Sequence, residues 1–234
     1  MTPKKLKDKS LIEALKLLRQ YREMHSAPVD TLGCDAPGES LKTAKQARFR
    51  ILVSLLLSSQ TKDALTHEAT NALEKEFGLG PLNIANASTD KIKVAIKGVG
   101  FANKKAIYLK KTASICLQKY NSDIPRHLKD LLDLPGVGPK MAFLVLQSAW
   151  NANEGIGVDV HVFRISHRLG WASDSASTPE LTRAELQNLL PKEEWPTINK
   201  LLVGLGQTIC SAKNPKCGQC PLFGHCLYPQ KDLF

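Results

Sequence analysis

Leu134-Pro-Gly-Val-Gly-Pro-Lys-Met141 is the stretch on which the fold of this chain turns. Glycines at 136 and 138 allow a tight turn and let the backbone approach a ligand closely. Pro139 suits the first position of a following helix, where its missing N–H costs nothing. The N–H groups left open there, reinforced by the helix dipole, make a small anion site fit for a phosphate. This is a helix-hairpin-helix element, which holds nucleic-acid backbone without reading base edges. Ile96-Lys-Gly-Val-Gly-Phe101 echoes it upstream, and there two helix C-caps explain the glycines equally well.

Outward from the hairpin the chain reads as helix after helix. Pro139 to Trp150 follows the turn and Arg126 to Leu132 precedes it. Upstream, Arg48 to Gln60 is apolar nearly all round and predicts a buried helix, while Asp63 to Phe77 carries Leu65, Ala69, Ala72 and Leu73 on one face. Asp90 to Ile96 and Asn103 to Tyr120 flank the first Gly-Val-Gly. Downstream, helices are expected from Val160 to Leu169, after the Thr178-Pro179 cap, and from Glu194 to Ile209. Ser10-Leu-Ile-Glu13 reads as a capping box opening a first helix that runs to about Met24, and Ser26 to Ser40 as a loop broken by Pro28, Gly33, Pro37 and Gly38. No alternating strand pattern competes, so the fold class is all-α.

Composition narrows the partners. The 234 residues hold 32 Lys and Arg against 22 Asp and Glu, a formal charge of +10, which favours a polyanion over an acidic small molecule. The longest apolar stretch, Ile51 to Leu57, falls far short of the roughly 20 residues of a membrane span. The basic N-terminus, with Lys4, Lys5, Lys7 and Lys9, lacks the apolar core and cleavage site of a secretory signal, so a soluble, intracellular protein is expected. Lys91, Lys93, Lys97, Lys104, Lys105, Lys110 and Lys111 cluster around the first turn and read mainly as a solvated basic face, whose binding to a polyanion would weaken steeply with salt.

Two constellations carry chemistry. Lys140 stands one residue into the hairpin's second helix, and position alone favours a phosphate contact over catalysis. Nineteen residues on, Gly157-Val-Asp-Val-His161 offers a carboxylate at Asp159 where a helix should begin, a good N-cap position. A nucleophilic lysine must reach its neutral form, and a nearby carboxylate can accept a proton or stabilise a cationic sugar, so capping and catalysis are compatible at Asp159. Cys210-x6-Cys217-x2-Cys220-x5-Cys226 places four thiols within seventeen residues. By chemistry alone such a site holds zinc or an iron-sulfur cluster, and the single Cys-x2-Cys knuckle weakens the zinc reading. Lys213 and Lys216, on the loop between the first two cysteines, are placed to meet phosphates. Cys34 and Cys116 read as ordinary thiols, and His161 and His167 as packing or surface residues.

The hairpin, the Val158-Asp159-Val160-His161 segment and the cysteine spacing together resemble the endonuclease III family of DNA glycosylases, over about Leu41 to Cys226. Gln60-Thr-Lys-Asp63, Pro139-Lys-Met-Ala142 and Leu201-Leu-Val-Gly-Leu-Gly-Gln207 look more like eukaryotic members. The resemblance implies a nucleophile at Lys140, a catalytic aspartate at Asp159, and a [4Fe-4S] cluster on Cys210, Cys217, Cys220 and Cys226. It implies attack on C1′ of an extruded nucleotide in damaged duplex DNA, base loss and strand nicking by β-elimination. Gln60 and Phe101 fall on the positions that fill the vacated stack, Phe101 being larger than the aliphatic wedge expected of bacterial members. Gly136, Val137 and Gly138 hold the strand.

The architecture implied is two-lobed: an N-terminal helix and loop over 1–40, a helical domain over 41–150 containing the hairpin at 126–150, and a C-terminal lobe over 151–234 with the cluster loop at 210–226. Lys140 and Asp159 would then face each other across a cleft. Oxidised pyrimidines such as thymine glycol are the implied substrates, acted on by a monomer in the nucleus or mitochondrion, or in the cytoplasm of a prokaryote. Two rivals remain: a non-catalytic DNA-binding module with a zinc-stabilised tail, and an adenine-specific glycosylase. The latter would lack the lysine and carry a further domain, against Lys140 and the eight residues after Cys226.

Overall fold

The computed structural model of the chain describes residues 3–36, 38 and 41–228, residues 3–9 by backbone alone. Pro37, Ser40 and the side chains of Lys4, Lys5, Lys7 and Lys9 lie outside the described residues. Twelve α-helices run through them: α1 Pro3–Met24, α2 Pro28–Leu32, α3 Ala44–Ser58, α4 Asp63–Phe77, α5 Pro81–Asn86, α6 Thr89–Ala95, α7 Ala102–Lys119, α8 Leu128–Leu132, α9 Pro139–Trp150, α10 Val160–Arg168, α11 Pro179–Leu189 and α12 Trp195–Thr208. Short 3-10 turns lie at Lys192–Glu194, Cys217–Gln219 and Phe223–His225, and there is no strand among the described residues. None of the helices there is long and apolar enough to cross a membrane.

The chain divides into two compact units, Thr31–Gly157 and Met1–Asp30 with Val158–Phe234. In the first unit α3 is the central element. Its Phe49, Leu52, Val53, Leu55, Leu56 and Leu57 are all buried, as its all-round apolarity requires, and it packs on α4, α7 and α9. It starts four residues earlier than the apolar run suggests, because Thr43 and Gln46 form a reciprocal capping box. The buried Arg50 guanidinium donates to Glu74 at 2.6 Å and to Asn71 at 2.7 Å, fastening α3 to α4 with both charges paired and hydrogen-bonded. α4 and α9 have the bounds expected of them, but the face of α4 needs correction: it buries Thr66, Ala69, Thr70, Leu73 and Glu74, and Leu65 of the expected stripe is 40% exposed.

In the second unit α1, α10 and α11 gather on α12 or on one another, with Leu11, Leu15 and Leu18 of α1 and Ile198 and Leu202 of α12 buried. The expected start of α1 at Ser10 is wrong. The helix opens at Pro3, which suits a first helical turn, and Ser10 sits inside it with its hydroxyl at 3.0 Å from His225 Nδ1. The expected loop over Ser26 to Ser40 also needs correction, since α2 lies within it. Asp30 on α2 pairs with Arg22 and accepts the Ala27 N–H at 2.8 Å, and the Val29 N–H reaches Gln207 at 3.0 Å. These partners stabilise a helix too short to persist on propensity.

Candidate functional site

In the first unit, α8 and α9 are joined by the hairpin Asp133 to Gly138. Gly136 takes φ +81°, and a Cβ there would sit 2.5 Å from the Tyr108 ring, so glycine is required for both the turn and the close approach. Val137 is buried among the core side chains and its N–H donates to Leu134 O at 3.1 Å. Gly138 is the N-cap of α9 with no side-chain cap, and Pro139 follows at the first position. The N–H groups of Gly138, Lys140 and Met141 have no acceptor among the described residues. Three donors and the positive end of a helix therefore face outward on one turn, the arrangement that takes a phosphate.

Lys140 is half-buried on that same turn, and among the described residues no hydrogen bond or ion pair holds its amine. Its helix buries Ala142, Phe143, Val145 and Leu146 on the opposite face, which fixes the direction in which residue 140 projects. The segment after α9 returns along it: Gln147 donates to Gly155 O at 2.7 Å, and a Cβ on Gly157 would lie 3.3 Å from the Lys140 carbonyl oxygen and 2.8 Å from Leu144. Gly157 must be small for the chain to pass this close to the lysine's turn.

Gln60 and Phe101 are brought together although they lie 41 positions apart in sequence. Gln60 ends the turn after α3 and Phe101 is the N-cap of α7; both are exposed and both hold left-handed backbone, at φ +51° and +58°. Gly100 packs so tightly on the Gln60 turn that a Cβ there would stand 2.5 Å from Gln60 O, and its N–H donates to Thr61 Oγ1 at 3.1 Å. The first Gly-Val-Gly is thus more than a pair of helix caps. Lys105 departs from the expected solvated basic face. It is 5% exposed, with its ammonium donating to Leu57 O, Ser59 O and Thr61 Oγ1. The signal that could have found it is helical period, since Lys105 shares a buried stripe with Leu109, Thr112 and Cys116.

In the second unit Asp159 is the N-cap of α10. Its Oδ1 accepts the N–H groups of His161 at 2.9 Å and Val162 at 2.8 Å, which orients the carboxylate and leaves both bonds on one oxygen. His161 packs on α12, where a Cβ on Gly206 would meet its Nδ1 at 2.4 Å, and His167 lies tilted against the Phe163 ring with centroids 4.4 Å apart.

Cys210, Cys217, Cys220 and Cys226 line one small cavity together with Ile209, Pro215, Phe223 and Tyr228, and all four are free thiols. The donor set and its apolar walls fit an iron-sulfur cluster. Among the described residues no three His, Cys, Asp or Glu side chains are grouped so as to hold a single metal ion. Arg168, unremarked in the sequence, braces the loop. Its guanidinium donates to Cys210 Sγ at 3.1 Å, Ser211 O at 2.8 Å and Ala212 O at 2.9 Å, and lies over the Tyr228 ring. Outside this set Cys116 is buried, which pushes its thiol up to about 12, and Cys34 lies near Ser148.

The chain is similar to known proteins over both the hairpin region and the cysteine loop. Residues 53–192 match the model of the HhH-GPD superfamily base excision DNA repair proteins, and residues 210–226 match the iron-sulfur binding domain of endonuclease III. The chain is 48% identical to Endonuclease III homolog 1, chloroplastic, of Arabidopsis thaliana, over 92% of this chain and 58% of that one. It is 45% identical to the Endonuclease III homolog of Encephalitozoon cuniculi, over 89% of this chain and 90% of that one. It therefore spans under two thirds of the plant relative and nearly all of the microsporidian one. Among solved structures, a trapped endonuclease III–DNA covalent intermediate superposes with a TM-score of 0.81 at 26% identity, covering 97% of this chain and 99% of that one.

Proposed function

The chain belongs to the endonuclease III family within the HhH-GPD superfamily of base-excision DNA repair proteins, and from that footing we propose that it is a DNA N-glycosylase and abasic-site lyase acting on oxidised pyrimidines. One observation carries the proposal: the turn whose three open N–H groups suit a strand phosphate is the turn that presents the unpaired amine of Lys140. The hairpin of Gly136, Val137 and Gly138 sets up the turn, the N–H groups of Gly138, Lys140 and Met141 hold the strand phosphate, and the Lys140 amine on the same turn meets the sugar which that phosphate carries.

The chemistry then follows from what each group offers. The neutral Lys140 amine attacks C1′; the N–C1′ bond forms as the bond from C1′ to the base breaks, and the base leaves with the bonding pair and is protonated. Opening of the sugar gives an iminium, which acidifies C2′; loss of a C2′ proton expels the 3′ phosphate and nicks the strand. Asp159, its orientation fixed by the His161 and Val162 N–H groups, stabilises the developing sugar cation and accepts a proton. Gln60 and Phe101, side by side on two clamped turns, enter the stack where the nucleotide has left it.

The cofactor is a [4Fe-4S] cluster. We assign Cys210, Cys217, Cys220 and Cys226 as its ligands, and bound there it supplies cross-linking of the loop that bears Lys213 and Lys216. Double-stranded DNA with damaged pyrimidines or abasic sites is the partner, engaged by a monomer in the nucleus or an organelle; the plant relatives are named as chloroplastic.

Two experiments test this reading. On a panel of duplexes, each with one defined lesion, thymine glycol is expected to be released and its strand nicked; an enzyme that binds every duplex and releases nothing would be the DNA-binding module instead. Asp159→Asn separates capping from chemistry: asparagine caps about as well as aspartate, so stability should shift by under about 0.5 kcal/mol. Single-turnover base release should nonetheless fall by about 100-fold, near 2.7 kcal/mol of barrier. Equal loss of stability and activity would reduce Asp159 to a cap.

A further inference from the structure

Lys105 is bonded to both of the turns that carry Gln60 and Phe101. Its backbone N–H donates to Phe101 O at 3.0 Å, closing the first turn of α7. Its side chain runs to the other turn, where the ammonium donates to Leu57 O at 2.7 Å, Ser59 O at 2.5 Å and Thr61 Oγ1 at 3.3 Å. An ammonium has three donors and no acceptor, so these three oxygens satisfy it completely. No carboxylate pairs with it among the described residues; the carbonyls at the C-terminal end of α3 are its counter-charge, at the end where a helix favours a cation. Burial lowers its pKa to about 8, which still leaves the cation dominant at neutral pH. The Thr61 hydroxyl completes the junction: it donates to Ser59 O at 3.2 Å and accepts from the Gly100 N–H at 3.1 Å as well as from Lys105.

An apolar side chain would fill the same space without the desolvation that a buried charge incurs, on the order of several kcal/mol before compensation. What the ammonium adds is direction. Gln60 and Phe101 are both exposed in left-handed backbone, a conformation that is an outlier for a bulky residue such as phenylalanine and that persists only where surroundings impose it. The imposed surroundings here are three bonds from one buried cation and the Gly100 to Thr61 bond.

We propose that Lys105 is a positioning residue that locks the Gln60 turn to the Phe101 turn, so that the two side chains enter the duplex as one rigid wedge during nucleotide extrusion. The proposal rests on the reading of Gln60 and Phe101 as the strand-inserting pair. A loosened wedge slows the steps before chemistry and spares the chemistry itself. The lock should therefore matter for a lesion paired in duplex, and little for the same lesion placed in a one-nucleotide bulge, where unstacking is already cheap.

The test uses the full chain with Lys105→Met, Thr61→Val and Phe101→Ala. Single-turnover base release is measured on both substrates, and a 2-aminopurine opposite the lesion reports insertion by its fluorescence. Lys105→Met should slow release from paired duplex by about 30-fold, near 2 kcal/mol of barrier, and diminish the fluorescence change, while release from the bulge falls by less than about threefold. Thr61→Val, which deletes one hydroxyl and keeps the side-chain shape, should show the same duplex-to-bulge contrast at about fivefold; it decides the matter if Lys105→Met does not fold. Equal slowing on both substrates, or no contrast in Thr61→Val, overturns the proposal. If Phe101→Ala abolishes the fluorescence change while the Lys105 and Thr61 variants keep it, insertion stands and the lock falls. If Phe101→Ala leaves fluorescence and duplex release unchanged, the insertion reading itself is overturned.

Discussion

Lys140→Gln is expected to abolish borohydride trapping of the protein on damaged or abasic duplex and to lower base release and strand nicking by about 1000-fold or more, roughly 4 kcal/mol of barrier. Glutamine is one atom shorter and uncharged but forms helix as readily as lysine, so α9 should stay intact and stability should move by under about 0.5 kcal/mol. The side chain is only half-buried and carries no hydrogen bond whose loss would strain the fold. DNA binding should persist, because the phosphate is held by the N–H groups of Gly138, Lys140 and Met141, and those belong to the backbone. One lost positive charge should flatten the slope of log affinity against log salt by about 0.9 at most. A variant that binds abasic duplex nearly as well as the parent and forms no adduct is the expected result. An adduct that survives in Lys140→Gln would move the nucleophile elsewhere, and a parent chain that forms none would remove the lyase altogether.

The hairpin was legible in the sequence because its requirements are local. Gly136 is needed for a positive φ and for contact with one ring, Pro139 for a helix start, and both needs show as residue type. α9 was legible for a related reason, since Gly138 and Pro139 mark its start; α4 kept its expected bounds, but its face was misjudged because Thr66, Thr70 and Glu74 are buried where Leu65 is not. Long-range partners leave no such mark. α2 is held by Arg22 and Gln207, the second of them 178 residues from Val29, so Pro28 and Gly33 read as loop punctuation. At α5, Gly80 and Pro81 look like a turn and are an N-cap and first helical residue. The separate residues Gln60 and Phe101 came from family resemblance, whereas their adjacency came from Gly100 and Thr61, whose types say nothing about which segment they meet. Lys105 was hidden by composition: beside Lys104, Lys110 and Lys111 it counts as one more surface charge, and only its place on the Leu109 and Cys116 stripe tells it apart.

Cys220→Ser should have the second large effect, and its origin is the poverty of the segment it belongs to. From Cys210 to Tyr228 the chain makes only two 3-10 turns, and of its nineteen residues Pro215, Cys217 and Leu222 alone are buried. Three buried side chains are little apolar burial to set against the backbone entropy of ordering the segment. Arg168 adds three hydrogen bonds and a ring contact, and the Leu227 N–H adds a bond to Arg168 O at 2.9 Å. These bonds are modest in net terms, because each replaces a bond to water. Four thiolates bound to one cluster cross-link the segment at four points and couple its folding to metal binding. Cys220→Ser should therefore yield protein depleted of iron and acid-labile sulfide, with its visible absorption lost and the 210–228 segment newly open to protease. The α10 and α12 pair has its own buried contacts, so helical circular dichroism should survive. Duplex affinity should drop by about tenfold near 0.1 M salt as Lys213 and Lys216 lose their fixed positions. A variant that keeps its iron and the parent's protease pattern would show that the segment orders without this ligand. A parent chain that purifies colourless with zinc would overturn the cluster itself.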